Sequence, residues 1–280
     1  MADSGALRRH ASTLGSASAI PLAIVVVLAA YGLHGGSLQS LVDPAAALIV
    51  LGGTLAATLI TYSPAAVLGA VSASMAAFRA DAGDTRTAAS DLVALAIRAH
   101  RHGIVALDSE LERIRDPFLR NGLALAIDGT SPDALRDIMA AEQRAREADD
   151  ERPARIVETA AGYAPTLGLI GAVLGLIQVL ERLNTPGALG AGIAVAFVAT
   201  FYGVGLANLV LLPVAGRLRE RALQASHRRD LTLEALTGLQ QRINPRLLAQ
   251  RMRAFAPQLP EVDVIAARVR ARRASYAELS

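Results

Sequence analysis

The chain of 280 residues contains no cysteine, no lysine and no tryptophan. The absence of cysteine excludes disulfides and thiolate metal sites. The five histidines are scattered, without the spacing of metal ligands. We therefore expect no metal site built from these side chains. Because lysine is absent, arginine supplies all 28 permanently basic side chains.

Charge is also absent from four long apolar runs, which indicate a membrane protein. Hydrophobic residues make up 52% of the chain, and the mean hydropathy is +0.37. A helix crosses a bilayer core with roughly 20 apolar residues. The first run is short and could pass for a signal peptide, but the three runs behind it favour an uncleaved helix. The predicted spans are Ala19–Leu33, Pro44–Tyr62, Gly162–Leu180 and Leu189–Val214.

The third and fourth spans are rich in small residues and each carries one proline. Gly168, Gly171 and Gly175 follow one another at three- and four-residue spacing, which lets helix backbones approach closely in lipid. Proline leaves a backbone carbonyl without its donor within the helix, and in a membrane that carbonyl needs another partner. We predict a packed hairpin with its prolines at Pro165 and Pro213.

Most of the polar sequence lies between the second and third spans and after the fourth. Apolar periodicity predicts helices in these segments, at Thr87–His102, Leu107–Leu125, Ser131–Ala148 and Arg217–Arg242. The predicted fold is an all-α membrane protein with four transmembrane helices and a large helical cytoplasmic insertion. Its predicted parts are an N-terminus (1–18), a first hairpin (19–62), a cytoplasmic domain (63–155), a second hairpin (156–216) and an extension with a basic tail (217–280).

The arginines predict the orientation of these spans. Two precede the first span, twelve lie in the insertion and thirteen follow the fourth span, which leaves only Arg182 in a predicted outer loop. Because arginine is enriched on the cytoplasmic side of membranes, both termini and the insertion are predicted to be cytoplasmic. This topology explains the basic pI of about 9.8 better than nucleic-acid binding does.

None of the four spans has Asp, Glu, His or Arg in its core. Proton and ion pathways through membranes usually need such a group at depth. The chain alone is therefore not expected to be a pump, although it could line one wall of a pathway whose titrating group comes from another chain. Glu158, at the edge of the third span, could serve as a proton entrance or could place a favourable charge at a helix N-terminus.

Two sequence segments resemble the signature of the MotA family of flagellar motor stator subunits. They are YAPTLGLIGAVLGLI at Tyr163–Ile177 and GIAVAFVATFYGVGLANLVLLP at Gly192–Pro213, and DPFLRNGLALAIDG at Asp116–Gly129 extends the likeness into the insertion. The resemblance covers nearly the whole chain. It implies a ring of these chains, expected to be a pentamer, around a MotB-type dimer in the inner membrane. The partner would supply the channel Asp, and the ring would turn against the rotor protein FliG. The resemblance thus implies a force-generating channel wall with no catalytic residue and no cofactor, rather than an enzyme.

The resemblance also implies roles for individual residues. Pro165 and Pro213 match the prolines that couple ion flow to movement, and Thr200 matches a threonine that faces the ion path. Ala172 stands where sodium-driven relatives carry threonine, which favours protons. The ion-path and coupling set is Pro165, Pro213, Thr200, Ala172, Thr166 and Glu158, and the helix-packing set is Gly168, Gly171, Gly175 and Gly203.

For torque, the family uses an arginine and an acidic residue eight positions further on. Asp108 fits the acidic position, whereas the basic position is occupied by His100 and followed by Arg101. These three residues form the predicted rotor contact. Two other functions stay open: an energiser of a cell-envelope process like TolQ or ExbB, which usually have one span before the cytoplasmic domain, and a membrane scaffold that conducts nothing.

Overall fold

The computed structural model describes residues 4–79, 85–181 and 186–267, and all regular structure in these ranges is helical. The predicted all-α class is therefore confirmed. The basic cluster at 268–273, part of the predicted tail, lies outside the described residues. The α-helices are α1 (Ser4–Leu33), α2 (Pro44–Ala47), α3 (Gly53–Thr61), α4 (Pro64–Arg79), α5 (Thr85–His102), α6 (Pro117–Ile127), α7 (Pro132–Glu181), α8 (Pro186–Gly205), α9 (Leu212–Gln240) and α10 (Pro245–Met252).

The described ranges also contain two π-helical turns and two 3₁₀ helices. The π turns Leu48–Gly52 and Leu206–Leu211 join α2 to α3 and α8 to α9. Such turns occur mostly as single insertions within α-helices, often at functional sites. The 3₁₀ segments are Leu38–Leu41 and Ile104–Arg113.

The chain divides into two compact units. The first, here the apolar unit, comprises Met1–Asp81 and Asp150–Arg221; the second, the charged unit, comprises Ala82–Asp149 and Ala222–Ser280. Within the described residues, three helical segments are long and apolar enough to cross a membrane: Leu38–Thr61, Pro132–Glu181 and Gly192–Gln240. The first predicted span, Ala19–Leu33, is an apolar helix below that length.

Helix α4 was not recognised as apolar from the sequence, because it opens the segment that becomes charged further on. It lies in the apolar unit, where Val67, Ala70 and Ala77 pack in one cluster with Ile156 of α7 and Leu218 of α9. Arg221 donates a hydrogen bond to the carbonyl oxygen of Ala76 at 3.0 Å, in the last turn of α4. The arginine thus satisfies a carbonyl that the end of the helix leaves without a donor.

Two of the helices predicted in the insertion are divided differently in the structure. The segment Leu107–Leu125 is not one helix, because the 3₁₀ helix ends at Arg113 and α6 begins afresh at Pro117. The Asp116 side chain accepts a hydrogen bond from Phe118 N at 3.0 Å, which caps α6. An acidic cap followed by proline is a strong start signal. The predicted helix Ser131–Ala148 is the beginning of α7, which continues into the third span.

Among the described residues of the charged unit, the apolar side chains form one core. Phe118 of α6, Met139 of α7 and Leu236 of α9 are at most 1% exposed. Fully burying side chains of this kind contributes about 1.5–3 kcal/mol each. Further members of this core are Leu92, Leu107, Leu123, Leu135, Leu231, Leu248 and Met252. Because these side chains come from α5, α6, α7, α9, α10 and the 3₁₀ helix Ile104–Arg113, the core joins the insertion to the segment after the fourth span.

A polar network also links α7 and α9 in the charged unit. Gln143 is 9% exposed, and its Nε2 donates to Glu147 Oε1 at 3.0 Å and to Asp230 Oδ1 at 2.7 Å. Ser226 donates a short hydrogen bond to the same Glu147 oxygen. The bonds from Ser226 and Gln143 lower the pKa of the Glu147 carboxyl below its ordinary value of 4.5.

Candidate functional site

Helices α7 and α8 approach each other closely at two glycines. A Cβ on Gly203 would lie 2.5 Å from the carbonyl oxygen of Ala164 and 3.0 Å from the Cα of Gly168. A Cβ on Gly168 would lie 2.8 Å from the carbonyl oxygen of Ala199. These distances are too short for a real side chain, so the crossing needs glycine on both helices. Small residues allow this kind of backbone contact between membrane helices.

The contact continues along α7 at the other glycines of the packing set. A Cβ on Gly171 would lie 2.7 Å from the Ala199 Cβ, and one on Gly175 would lie 3.0 Å from the backbone nitrogen of Ala196. All three α7 glycines thus face the same short stretch of α8. The seam combines glycine on one helix with alanine and glycine on the other.

Pro165 lies at the crossing itself. Its Cα is 3.2 Å from the position that a Gly203 Cβ would occupy. Helix α7 continues through Pro165, although proline provides no N–H for the carbonyl of Ala161. Pro165, which interrupts the backbone hydrogen bonds of α7, therefore lies against α8.

Two threonines of the ion-path set present exposed side chains beside this crossing. Thr166 donates to the carbonyl oxygen of Tyr163 at 2.8 Å, and Thr200 donates to that of Ala196 at 3.2 Å. Each hydroxyl thus has a backbone acceptor and keeps lone pairs for another group. Ala172 is partly buried, directly after Gly171 on α7.

Pro213 is the second residue of α9, directly after the π turn Leu206–Leu211. It cannot donate to a carbonyl of the preceding turn. Asn208, inside the π turn, donates to the carbonyl oxygen of Val204 at 2.9 Å. The irregular stretch of the fourth span therefore has both a proline that removes a donor and a side-chain amide that supplies one.

Glu158 is held by an ion pair between α7 and α9. Its carboxylate lies 2.7 Å from Arg219 Nη2, and the Glu158 side chain is 29% exposed. Glu158 lies deep inside α7, which begins at Pro132. The interpretation of Glu158 as a charge at a helix N-terminus is therefore wrong. Nothing in the sequence pointed to Arg219 as its partner, because 61 positions separate the two residues.

The three predicted rotor-contact residues lie on either side of one bend in the charged unit. His100 and Arg101 are in the last turn of α5, and Asp108 is in the 3₁₀ helix that follows. Gly103 makes the bend with a φ of 81°, a left-handed conformation that favours glycine. All three side chains are exposed. Arg98 and Glu110 next to them form an ion pair with each other.

Comparison with known sequences places the chain in a family. The sequence model of the MotA/TolQ/ExbB proton channel family matches residues 110–230, and the model of the motility protein A N-terminal region matches residues 20–101. Motility protein A of Bacillus subtilis is 32% identical over 242 residues, which cover 85% of this chain and 88% of that protein. The chain belongs to the MotA/TolQ/ExbB proton channel family.

Solved structures of the family agree with this fold. The structure of MotAB from C. jejuni superposes with a TM-score of 0.81 at 26% identity, covering 88% of this chain and 95% of that one. The flagellar MotAB stator complex from Bacillus subtilis superposes with a TM-score of 0.77 at 32% identity, covering 83% and 92%. This MotA-type chain therefore shares the family's fold over most of its length.

Sequence reasoning missed the structural role of Tyr202. Its hydroxyl donates to the carbonyl oxygen of Leu41 at 2.5 Å and accepts from the backbone N–H of Asp43 at 3.3 Å. Asp43 in turn caps α2 by accepting from Ala46 N at 2.7 Å. Tyr202 thus attaches the beginning of the second span to the middle of the fourth. A tyrosine within an apolar run was visible in the sequence, but its distant partner was not.

Proposed function

We infer that this chain is a stator subunit of the bacterial flagellar motor, which forms an ion channel with a MotB-type partner and converts ion flow into torque. The stator function is supported by relatives named motility protein A and by the structural likeness to MotAB stator complexes. The chain is a membrane protein, and the inner membrane is the compartment that its family membership supports. A channel wall that moves agrees better with these observations than a metabolic enzyme does.

The single structural observation that carries the proposal is the crossing of α7 and α8 at Gly168 and Gly203. It brings Pro165 and the neighbourhood of Thr200 together in a stretch whose sequence contains no carboxylate. A proton pathway needs a titrating group at depth. The partner is therefore proposed to supply an Asp, with the hydroxyls of Thr166 and Thr200 offering uncharged polar groups along the path.

The proposed topology has four spans and two cytoplasmic termini. Ala19–Leu33 is taken as the short first span, and the three longer apolar segments follow it. The arginine distribution supports a cytoplasmic charged unit. The proposed boundaries are those predicted from the sequence, with hairpins at 19–62 and 156–216, a cytoplasmic domain at 63–155 and an extension at 217–280.

The torque face is proposed to be the exposed bend formed by His100, Arg101 and Asp108. Its proposed partner is FliG, and the proposed assembly is a ring of five copies around the MotB-type dimer. The support lies in the exposure of the three side chains and in their match to the family's torque positions. Because one exposed ion pair contributes only about 0–1 kcal/mol, several such contacts around a ring would be needed to transmit force.

Co-expression tests the shared channel. This chain alone should not acidify cells, because its spans contain no titrating carboxylate, whereas expression with a MotB-type partner freed of its plug segment should. Replacing the partner's channel Asp with Asn is the matched control and should abolish the leak. Acidification by this chain alone would contradict the shared channel. The absence of both motility and an ion leak on co-expression would favour a scaffold, and rescue of a TolQ or ExbB deletion would favour the envelope energiser.

A further inference from the structure

We propose that a groove in the apolar unit, on the side of α8 away from α7, binds the acyl chain of a phospholipid. The groove has a volume of about 320 Å³. Its walls come from α1, from the start of the second span and from the end of α8 with the following π turn. The residues that define it here are Ile24, Val27, Leu51, Tyr202, Gly205 and Leu209.

The lining is apolar apart from the Tyr202 hydroxyl. That hydroxyl already donates to the Leu41 carbonyl and accepts from the Asp43 N–H. An occupant therefore needs no hydrogen bond from the groove, and a polar ligand would lose its own hydration without compensation. A hydrocarbon chain requires no hydrogen bond and has no polar group whose hydration would be lost.

The backbone itself keeps the groove open. Leu51 belongs to the π turn Leu48–Gly52, and Leu209 belongs to the π turn Leu206–Leu211. Between these walls, a Cβ on Gly205 would meet no atom within 4 Å. Gly203, only two positions earlier, has no such room because it faces α7. The fourth span thus uses one glycine for close packing and the other to leave space.

The size and position of the groove favour a lipid chain over a helix from a second copy. The groove, at about 320 Å³, is near the lower end of ordinary ligand pockets, about 300 Å³. That volume is too small for even one or two turns of a helix, which is about 10–12 Å across with its side chains. The second and fourth spans that form two of its walls are apolar enough to cross a membrane. The surrounding medium at that depth is lipid hydrocarbon, so an acyl chain is the occupant that is always available.

The test uses the full chain with its MotB-type partner, reconstituted in vesicles of phosphatidylethanolamine and phosphatidylglycerol. A fraction of the lipid carries a photoreactive diazirine in one acyl chain, and adducts are mapped by mass spectrometry. We expect adducts on peptides that contain Val27, Leu51 or Leu209. Gly205→Leu should fill the groove and reduce labelling there about tenfold, the equivalent of about 1.4 kcal/mol. Gly190→Leu, the same change on α8 where the glycine is also open, should leave labelling unchanged.

A second variant protects the test from a folding defect. If Gly205→Leu does not accumulate, Val27→Trp fills the groove from α1 and should give the same loss of labelling. Benzophenone-alanine at position 27 provides an independent readout: an adduct with the mass of a phospholipid supports the proposal. An adduct between two copies of the chain would overturn it in favour of a subunit contact. Equal labelling in the filled and control variants, or wild-type adducts only elsewhere, would also overturn it.

Discussion

Gly203 on α8 lies against Gly168 on α7, so closely that a Cβ on Gly203 would be 3.0 Å from the Gly168 Cα and 2.5 Å from the Ala164 carbonyl oxygen. Both neighbours are backbone atoms, which cannot move aside as the end of a flexible side chain can. The two helices would have to separate to admit even a methyl group. The packing of the second hairpin therefore depends on the absence of a side chain at this position.

Gly203→Ala should weaken this packing. Overpacking of a well-packed contact typically costs about 1–3 kcal/mol. We expect a lower thermal midpoint of the detergent-purified complex and smaller swim rings. Gly162→Ala on α7 is the matched control, because a Cβ there meets nothing within 4 Å. Equal midpoints and equal swim rings for the two variants would show that the crossing admits a methyl group at Gly203.

Pro165→Ala should separate assembly from torque. Alanine restores an N–H to a helix that already continues through this position, so insertion and ring formation should be largely unaffected. Alanine would also supply the donor that the Ala161 carbonyl lacks opposite proline, and we expect torque to be abolished. The measurement combines membrane levels, blue native electrophoresis and the rotation of tethered cells.

The same helix offers a matched control for that variant. Pro153 also lies inside α7 but outside the predicted spans, so Pro153→Ala should leave torque nearly intact. If Pro165→Ala instead fails to reach the membrane while Pro153→Ala does not, the proline at the crossing is structural. Full motility of the Pro165 variant would remove it from the coupling mechanism.

Ion selectivity is expected to follow Ala172. An alanine side chain has no oxygen that could replace the hydration of a sodium ion, so protons are the predicted coupling ion. Swimming speed should be unchanged when sodium is replaced by potassium and should fall to zero with a protonophore. A speed that saturates with sodium concentration would reverse this assignment.

The patterns that could be recognised in the sequence are local. Helical class, the proline positions and the glycine spacing can each be recognised from one continuous segment of sequence, and the helical class is confirmed. Hydrogen-bond partners on different helices cannot be recognised in this way. Examples are Arg219 for Glu158, Tyr202 for the Leu41 carbonyl and Arg221 for the Ala76 carbonyl. These contacts depend on how distant segments pack, which periodicity does not specify. The break before α6, in contrast, is predictable from local sequence, because Asp116 followed by Pro117 is a helix start signal.

Acid should destabilise the charged unit through Glu147. Hydrogen bonds from Ser226 and Gln143 lower its pKa below 4.5 in the folded chain. A carboxyl whose folded pKa is depressed adds stability above its unfolded pKa, and this stability is lost as the pH falls through the folded value. The thermal midpoint of the full complex should therefore drop below pH 4.5. The thermal midpoint should fall less steeply with pH in Ser226→Ala, because this variant removes the hydrogen bond that lowers the Glu147 pKa most.

A control on the same helix sharpens this test. Glu151→Gln removes an exposed carboxylate whose side chain is 57% accessible, and exposed pairs contribute little. It should show the wild-type dependence on pH. An identical acid slope in wild type and Ser226→Ala would show that Glu147 does not carry the effect.

Charge reversal at the exposed bend of the charged unit should impair motility without impairing assembly. Arg101 carries a permanent positive charge in the last turn of α5, and Asp108 carries the acidic charge across the Gly103 turn. Because single exposed pairs contribute only about 0–1 kcal/mol, Arg101→Glu or Asp108→Arg alone should slow swimming. The double variant should be nearly immotile. It should still assemble, because neither side chain is buried.

Charge changes on the rotor distinguish a contact from a folding defect. If the bend touches the rotor, reversing the charges of its acidic and basic partners there should restore part of the motion of the double variant. The comparison is the swim-ring diameter of the double variant with and without those rotor changes. Arg120→Glu with Asp128→Arg, on the exposed surface of α6 and its C-terminal end, controls for a general effect of charge reversal. Wild-type swimming of the Arg101 and Asp108 double variant would show that torque is transmitted elsewhere.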